Sequence, residues 1–73
     1  MISTEERIKA YNTYAKYRDK KKITDYQMSK VLGIGTAMFT HWKQGKYIPK
    51  YDKLKVIADT LGISVDKILG VKA

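Results

Sequence analysis

The stretch from Ile23 to Gly45 constrains the fold of this chain most, because it places two helix-length segments on either side of a glycine turn. Thr24-x-x-Gln27 has the form of a capping box, in which side chain and backbone satisfy each other's free N–H groups at a helix start. Met28, Val31 and Leu32 are the apolar positions of the segment that follows, and Gly33 stops it. A second segment runs from about Thr36 to Gln44, buries Phe39 and Trp42 as an i, i+3 pair, and ends at Gly45. Met28, Leu32, Ile34, Phe39 and Trp42 then form a shared core. Small Ser29 lets the two backbones approach, so the segments cross near a right angle.

The remaining segments are also helical. Ser3-x-x-Glu6 is a second capping box, followed at helical spacing by Ile8, Tyr11, Tyr14, Ala15 and Arg18, with Tyr17 beside them. This helix is expected to end around Lys20–Lys22, where cations suit the negative end of the helix dipole. A loop through Lys46, Tyr47, Ile48 and Pro49 leads to a helix over about Tyr51 to Leu61. Leu54, Ile57, Ala58 and Leu61 make it the clearest amphipathic stripe in the chain. Gly62 caps it, Ser64 opens a short last helix with Val65, Ile68 and Leu69 facing in, and Gly70 closes that helix. β-branched residues are scattered rather than alternating. The expected architecture is all-α: residues 1–73 form a single domain of five helices, with the central motif at about 24–45.

Charge narrows the partners. The formal net charge is +8, and residues 20–50 hold six of those eight charges: Lys20, Lys21, Lys22, Lys30, Lys43, Lys46 and Lys50 stand against Asp25 alone. Such a domain suits an anionic partner, nucleic acid first and an anionic membrane surface second. There is no cysteine, which excludes disulfides and thiolate metal sites, and one histidine cannot build a polyhistidine site. No metal and no cofactor is expected. No apolar run has the length of a membrane span, and Glu5 and Glu6 do not suit a signal peptide. No nucleophile–base pair or paired carboxylate site can be drawn, so an enzyme acting on a small-molecule substrate is not the reading.

Two short helices around a glycine turn are either a generic αα-hairpin or a DNA-binding helix-turn-helix. The longer pattern decides between them. Ile23-Thr24, Gly33-Ile34 and Phe39-x-x-Trp42-Lys43-x-Gly45-Lys46-x-x-Pro49 are followed by Leu54-x-x-Ile57-Ala58-x-x-Leu61-Gly62-Ile63-Ser64-Val65-x-x-Ile68-Leu69-Gly70. This ordered set resembles the lambda-repressor-like helix-turn-helix domains, which include Cro and the XRE-type regulators. It does so without a gap from Ile23 to Gly70. The resemblance implies a five-helix fold whose second motif helix enters the major groove. It also implies a homodimer on a palindromic double-stranded operator, in the cytoplasm of a bacterial or phage-infected cell. Base-reading positions would be Thr36, Ala37, Thr40 and His41. Phe39 and Trp42 point inward, which leaves these residues on the opposite face. Phosphate contacts would come from Thr24, Gln27, Lys43, Gln44, Lys46, Tyr47 and Lys50. Dimer contacts would come from the C-terminal Ile63, Val65, Ile68 and Val71, which alternatively close the monomer core.

Three positions depart from the family pattern. The family often pairs an arginine at Arg18 with a glutamate at position 43, where this chain has Lys43. Either the first helix is held to the motif in another way, or Lys43 turns to a phosphate. Asp25 stands where a neutral, phosphate-facing glutamine is frequent; its charge suits a helix N-terminus but repels DNA. Gly35 replaces the usual polar cap of the second motif helix. Residues 1–12 lengthen the first helix beyond the family minimum, with no role assigned. Tyr14 and Tyr17 are read as half-buried core. His41 is either a base contact or an ordinary surface histidine, Tyr47 a phosphate contact or plain solvent exposure, and Lys20–Lys22 a solvated helix end or a DNA contact. The expected function is a phage- or prophage-type, Cro-like repressor acting by operator occupancy. The alternative is a protein-interaction module, such as an antitoxin or anti-repressor partner, that keeps the fold.

Overall fold

The computed structural model describes residues 3–70 and consists of five helices: α1 (Thr4–Lys20), α2 (Asp25–Leu32), α3 (Ala37–Lys43), α4 (Tyr51–Leu61) and α5 (Val65–Leu69). Both capping boxes form. Ser3 Oγ accepts from Glu6 N at 3.1 Å while Glu6 Oε1 accepts from Ser3 N. Thr24 Oγ1 accepts from Gln27 N at 3.1 Å and Gln27 Oε1 accepts from Thr24 N at 2.9 Å. The Gly33 turn between α2 and α3 is left-handed, with φ at 68°, a conformation that costs glycine little.

One end does not follow the glycine rule. α1 stops through Lys22, a non-glycine residue at φ 57°. Ile23 N then reaches back to Arg18 O at 3.1 Å, and Lys22 N to Asp19 O at 3.0 Å. This is the bonding of a left-handed helix end, placed on a residue whose Cβ makes it unfavourable.

The core is assembled by α1 against α3 and α5, with α4 packed on α5 and α2. Tyr14 is fully buried rather than half-buried. Its ring stacks on Phe39 at 5.5 Å and on Trp42 at 5.0 Å, while Tyr11 meets Trp42 edge-on at 5.5 Å. Such aromatic pairs add about 0.5–1.5 kcal/mol each beyond simple burial. Tyr17 is half-buried as expected, with Lys20 Nζ and Lys67 Nζ at 4.9 and 5.3 Å from its ring centre. The α4 stripe of Leu54, Ile57, Ala58 and Leu61 is buried throughout.

Two expectations change. Val31 belongs to the apolar set of α2 in sequence, yet it is 54% exposed. The buried face is set by Met28, Ser29 and Leu32, and at 100° per residue Val31 falls on its flank. At the C-terminus, Val65 and Ile68 are 9% and 1% exposed. They face into the monomer and offer no apolar edge for a dimer. Ile63 is half-buried, and Val71 lies outside the described residues.

Candidate nucleic-acid interface

α3 is held from beneath by Phe39 and Trp42, both buried, and this orientation turns the rest of the helix outward. Thr36, Ala37, Thr40, His41 and Gln44 are all exposed. The structure therefore places the four expected base-reading residues on one free surface. Three of them border two hollows, and Thr36 lines neither. Ala37 and His41 share the first with Ile34, Gly35, Met38 and Tyr47. Thr40 and Gln44 border the second with Lys43, Phe39, Tyr11 and Asp25. The cap of α3 falls on Thr36 rather than Gly35, and the Thr36 side chain makes no capping hydrogen bond because its backbone is already helical, with φ −70° and ψ −18°.

The expected phosphate-contacting residues are also exposed. Lys43, Lys46 and Lys50 have no ion-pair partner among the described residues. No aspartate or glutamate occurs from Tyr26 to Tyr51, and Asp25, which borders the second hollow with Lys43, is paired with Arg18. Thr24 and Gln27 are partly committed. The Thr24 hydroxyl and Gln27 Oε1 are tied up in the cap and lie 3.4 Å from each other. The Gln27 amide nitrogen remains as a donor.

Asp25 behaves differently from the sequence expectation. It does not stand free at the helix start to repel an anion. Arg18 Nη1 lies 2.6 Å from Asp25 Oδ1, Tyr14 Oη donates to the same oxygen at 2.7 Å, and Tyr11 Oη donates to Oδ2 at 2.8 Å. Burial alone would raise the Asp25 pKa; the three donors and the arginine charge outweigh it and hold the carboxyl below its ordinary value of 3.8. The same burial, with Asp25 as acceptor, pushes both phenols upward. Arg18 thus finds its acid on α2 instead of at position 43. Lys43 is left exposed at the rim of the second hollow.

The long first helix also gains a role. Arg7 Nη1 donates to Gly45 O at 3.2 Å, which ties the start of α1 to the end of α3. Gly45 is buried, sits at φ 79°, and a Cβ there would stand 2.6 Å from Thr4 Cγ2 and 3.0 Å from Ile8 Cγ1. Arg7, Tyr11, Tyr14 and Arg18 form one stripe at i, i+4, i+7 and i+11. Sequence reasoning picked out the last three of these and missed Arg7. The only available signal was that spacing, and it is weak when both ends of the stripe are charged.

Among the described residues no helix is long and apolar enough to cross a membrane, and no group of three or more His, Asp or Glu side chains could hold a metal ion. Comparison with known proteins agrees with the architecture. The solution structure of the SOS-response transcriptional repressor LexA from Eubacterium rectale is similar, with a TM-score of 0.79 at 22% identity. The likeness covers 94% of this chain and 73% of that one. No curated protein sequence matches. A family model described as helix-turn-helix matches residues 15–68, a span that holds all of α2, α3 and α4 and most of α5. The chain belongs to the helix-turn-helix family of DNA-binding domains.

Proposed function

We propose that this chain is a sequence-specific, double-stranded DNA-binding transcriptional regulator that acts as a phage-type, Cro-like repressor by occupying its operator. The observation that carries this reading is the α3 surface. Thr36, Ala37, Thr40 and His41 are free on a helix held by Phe39 and Trp42, with unpaired Lys43, Lys46 and Lys50 around them. In the major groove Thr36, Thr40 and His41 would hydrogen-bond to base edges. Thr24, Gln27, Gln44, Tyr47 and the lysines would hold the backbone through hydrogen bonds and counterion release. The whole chain acts as one domain. Two copies read half-sites of a palindrome one helical turn apart, about 34 Å. With Val65 and Ile68 committed to the core, pairing relies on the surface around Ile63 and on Val71. Such a regulator works in the cytoplasm, needs no cofactor, and represses by excluding polymerase from the operator it occupies.

Selection of bound duplexes from random DNA, followed by titration at several salt concentrations, tests this. A symmetric site is expected, with a slope of log K against log salt near −7 if about eight phosphates are neutralised per dimer. Failure to retain any duplex at low salt overturns the reading. That result would favour the interaction module.

A further inference from the structure

The first hollow beside α3 has an unusual chemistry for a surface meant to meet a polyanion. Its walls are Ile34, Gly35, Ala37, Met38, His41 and Tyr47, and only the last two carry side-chain polar atoms. Ile34 and Met38 are half-buried and rest on the core, so the floor of the hollow is held in place. Lys46, next to the wall residue Tyr47 in sequence, is exposed and unpaired, and no acidic residue lies between Tyr26 and Tyr51. The depression is thus apolar, with an unpaired cation adjoining one of its wall residues in sequence.

DNA displays one apolar group on its major-groove base edges, the C5 methyl of thymine. Every other group there is a hydrogen-bond donor or acceptor, and would lose water in this hollow with few partners to replace it. Lys46 beside Tyr47 would suit a flanking phosphate. We infer that the hollow formed by Ile34, Ala37, Met38 and Tyr47 is a thymine-methyl receptor, making Met38 and Tyr47 specificity-determining residues beside the four groove-facing ones. This rests on the DNA-binding reading above and adds to it the identity of a base.

The test replaces thymine by deoxyuridine, one position at a time, in the duplex that wins selection from random DNA. That exchange removes a methyl group and leaves every hydrogen-bonding atom in place. Burial of one methyl predicts that one position per half-site loses about fourfold in affinity. In Met38→Ala and in Tyr47→Ala the ratio between the thymine and deoxyuridine duplexes should fall towards one at that position. Tyr47 is exposed, so its variant keeps the test valid if Met38→Ala folds poorly; far-UV circular dichroism monitors both. The inference is overturned if the winning site lacks thymine, if no deoxyuridine exchange matters, or if neither variant changes the ratio. In these cases duplex binding itself persists and the DNA-binding reading stands. Absence of binding to all duplexes overturns both together.

Discussion

Arg18 of α1 and Asp25 of α2 form an ion pair of 2.6 Å across the loop that joins their helices, and Tyr11 and Tyr14 complete the shell of the carboxylate. The pair fastens the long first helix to the motif and compensates the only negative charge of residues 20–50, which borders the second hollow beside α3. The partly buried position makes the partners interdependent, since loss of one leaves the other desolvated and unpaired.

Acid should therefore destabilise this domain through Asp25. Its folded pKa lies below the ordinary 3.8, so the unfolded chain binds the proton more readily. The contribution is whole above the unfolded value and is lost as pH falls through the folded one. Asp25→Asn should cost about 1–3 kcal/mol at pH 7 and flatten the stability profile below about pH 4. Urea midpoints between pH 7 and 2.5 measure both effects. Parallel profiles for the two proteins would show that Asp25 is not the group responsible.

Gly45→Ala should destabilise by about 2–4 kcal/mol, through a left-handed backbone and a close contact acting together. The Cβ would lie 2.6 Å from Thr4 Cγ2. Thr4→Ser removes that methyl and should recover part of the loss in the double variant, leaving the backbone cost. A thermal-melt double-mutant cycle reads the coupling. Strict additivity would mean that the Thr4 methyl does not press on residue 45.

Lys22→Gly should stabilise the fold by about 0.5–1 kcal/mol, because glycine relieves the left-handed Lys22 at φ 57° against its own larger entropy loss. The gain should appear as a higher melting temperature. The same variant also separates the two readings of the Lys20–Lys22 run. Unchanged salt dependence of DNA binding assigns Lys22 to the helix end alone.

On DNA, His41→Ala should relax base preference at one position at a cost of about 1–3 kcal/mol, whereas Lys46→Ala should weaken all sequences alike and reduce the salt slope by about one per protomer. Binding to the selected site and to single-base variants of it distinguishes the two patterns. Equal losses across all sequences in His41→Ala would reassign His41 to the backbone.

The helices were legible in the sequence because their signals are local. Ser3-x-x-Glu6 and Thr24-x-x-Gln27 form their caps within one turn, Gly33, Gly62 and Gly70 take left-handed φ, and the Leu54–Leu61 stripe needs only the helical period. The outward face of α3 followed from the same period once Phe39 and Trp42 were placed inside. The tertiary structure alone decided how charged and ambiguous residues were used. Asp25 reads as a free helix-start anion until α1 brings Arg18, Tyr11 and Tyr14 to it. Val31 reads as core until Ser29 takes the buried side. Arg7 has no legible purpose until Gly45 O, 38 residues away, comes within 3.2 Å. Lys22 has no glycine to announce its left-handed turn. Backbone caps and apolar periods are properties of a few neighbouring residues, whereas the partner of a buried charge is settled by which helices meet.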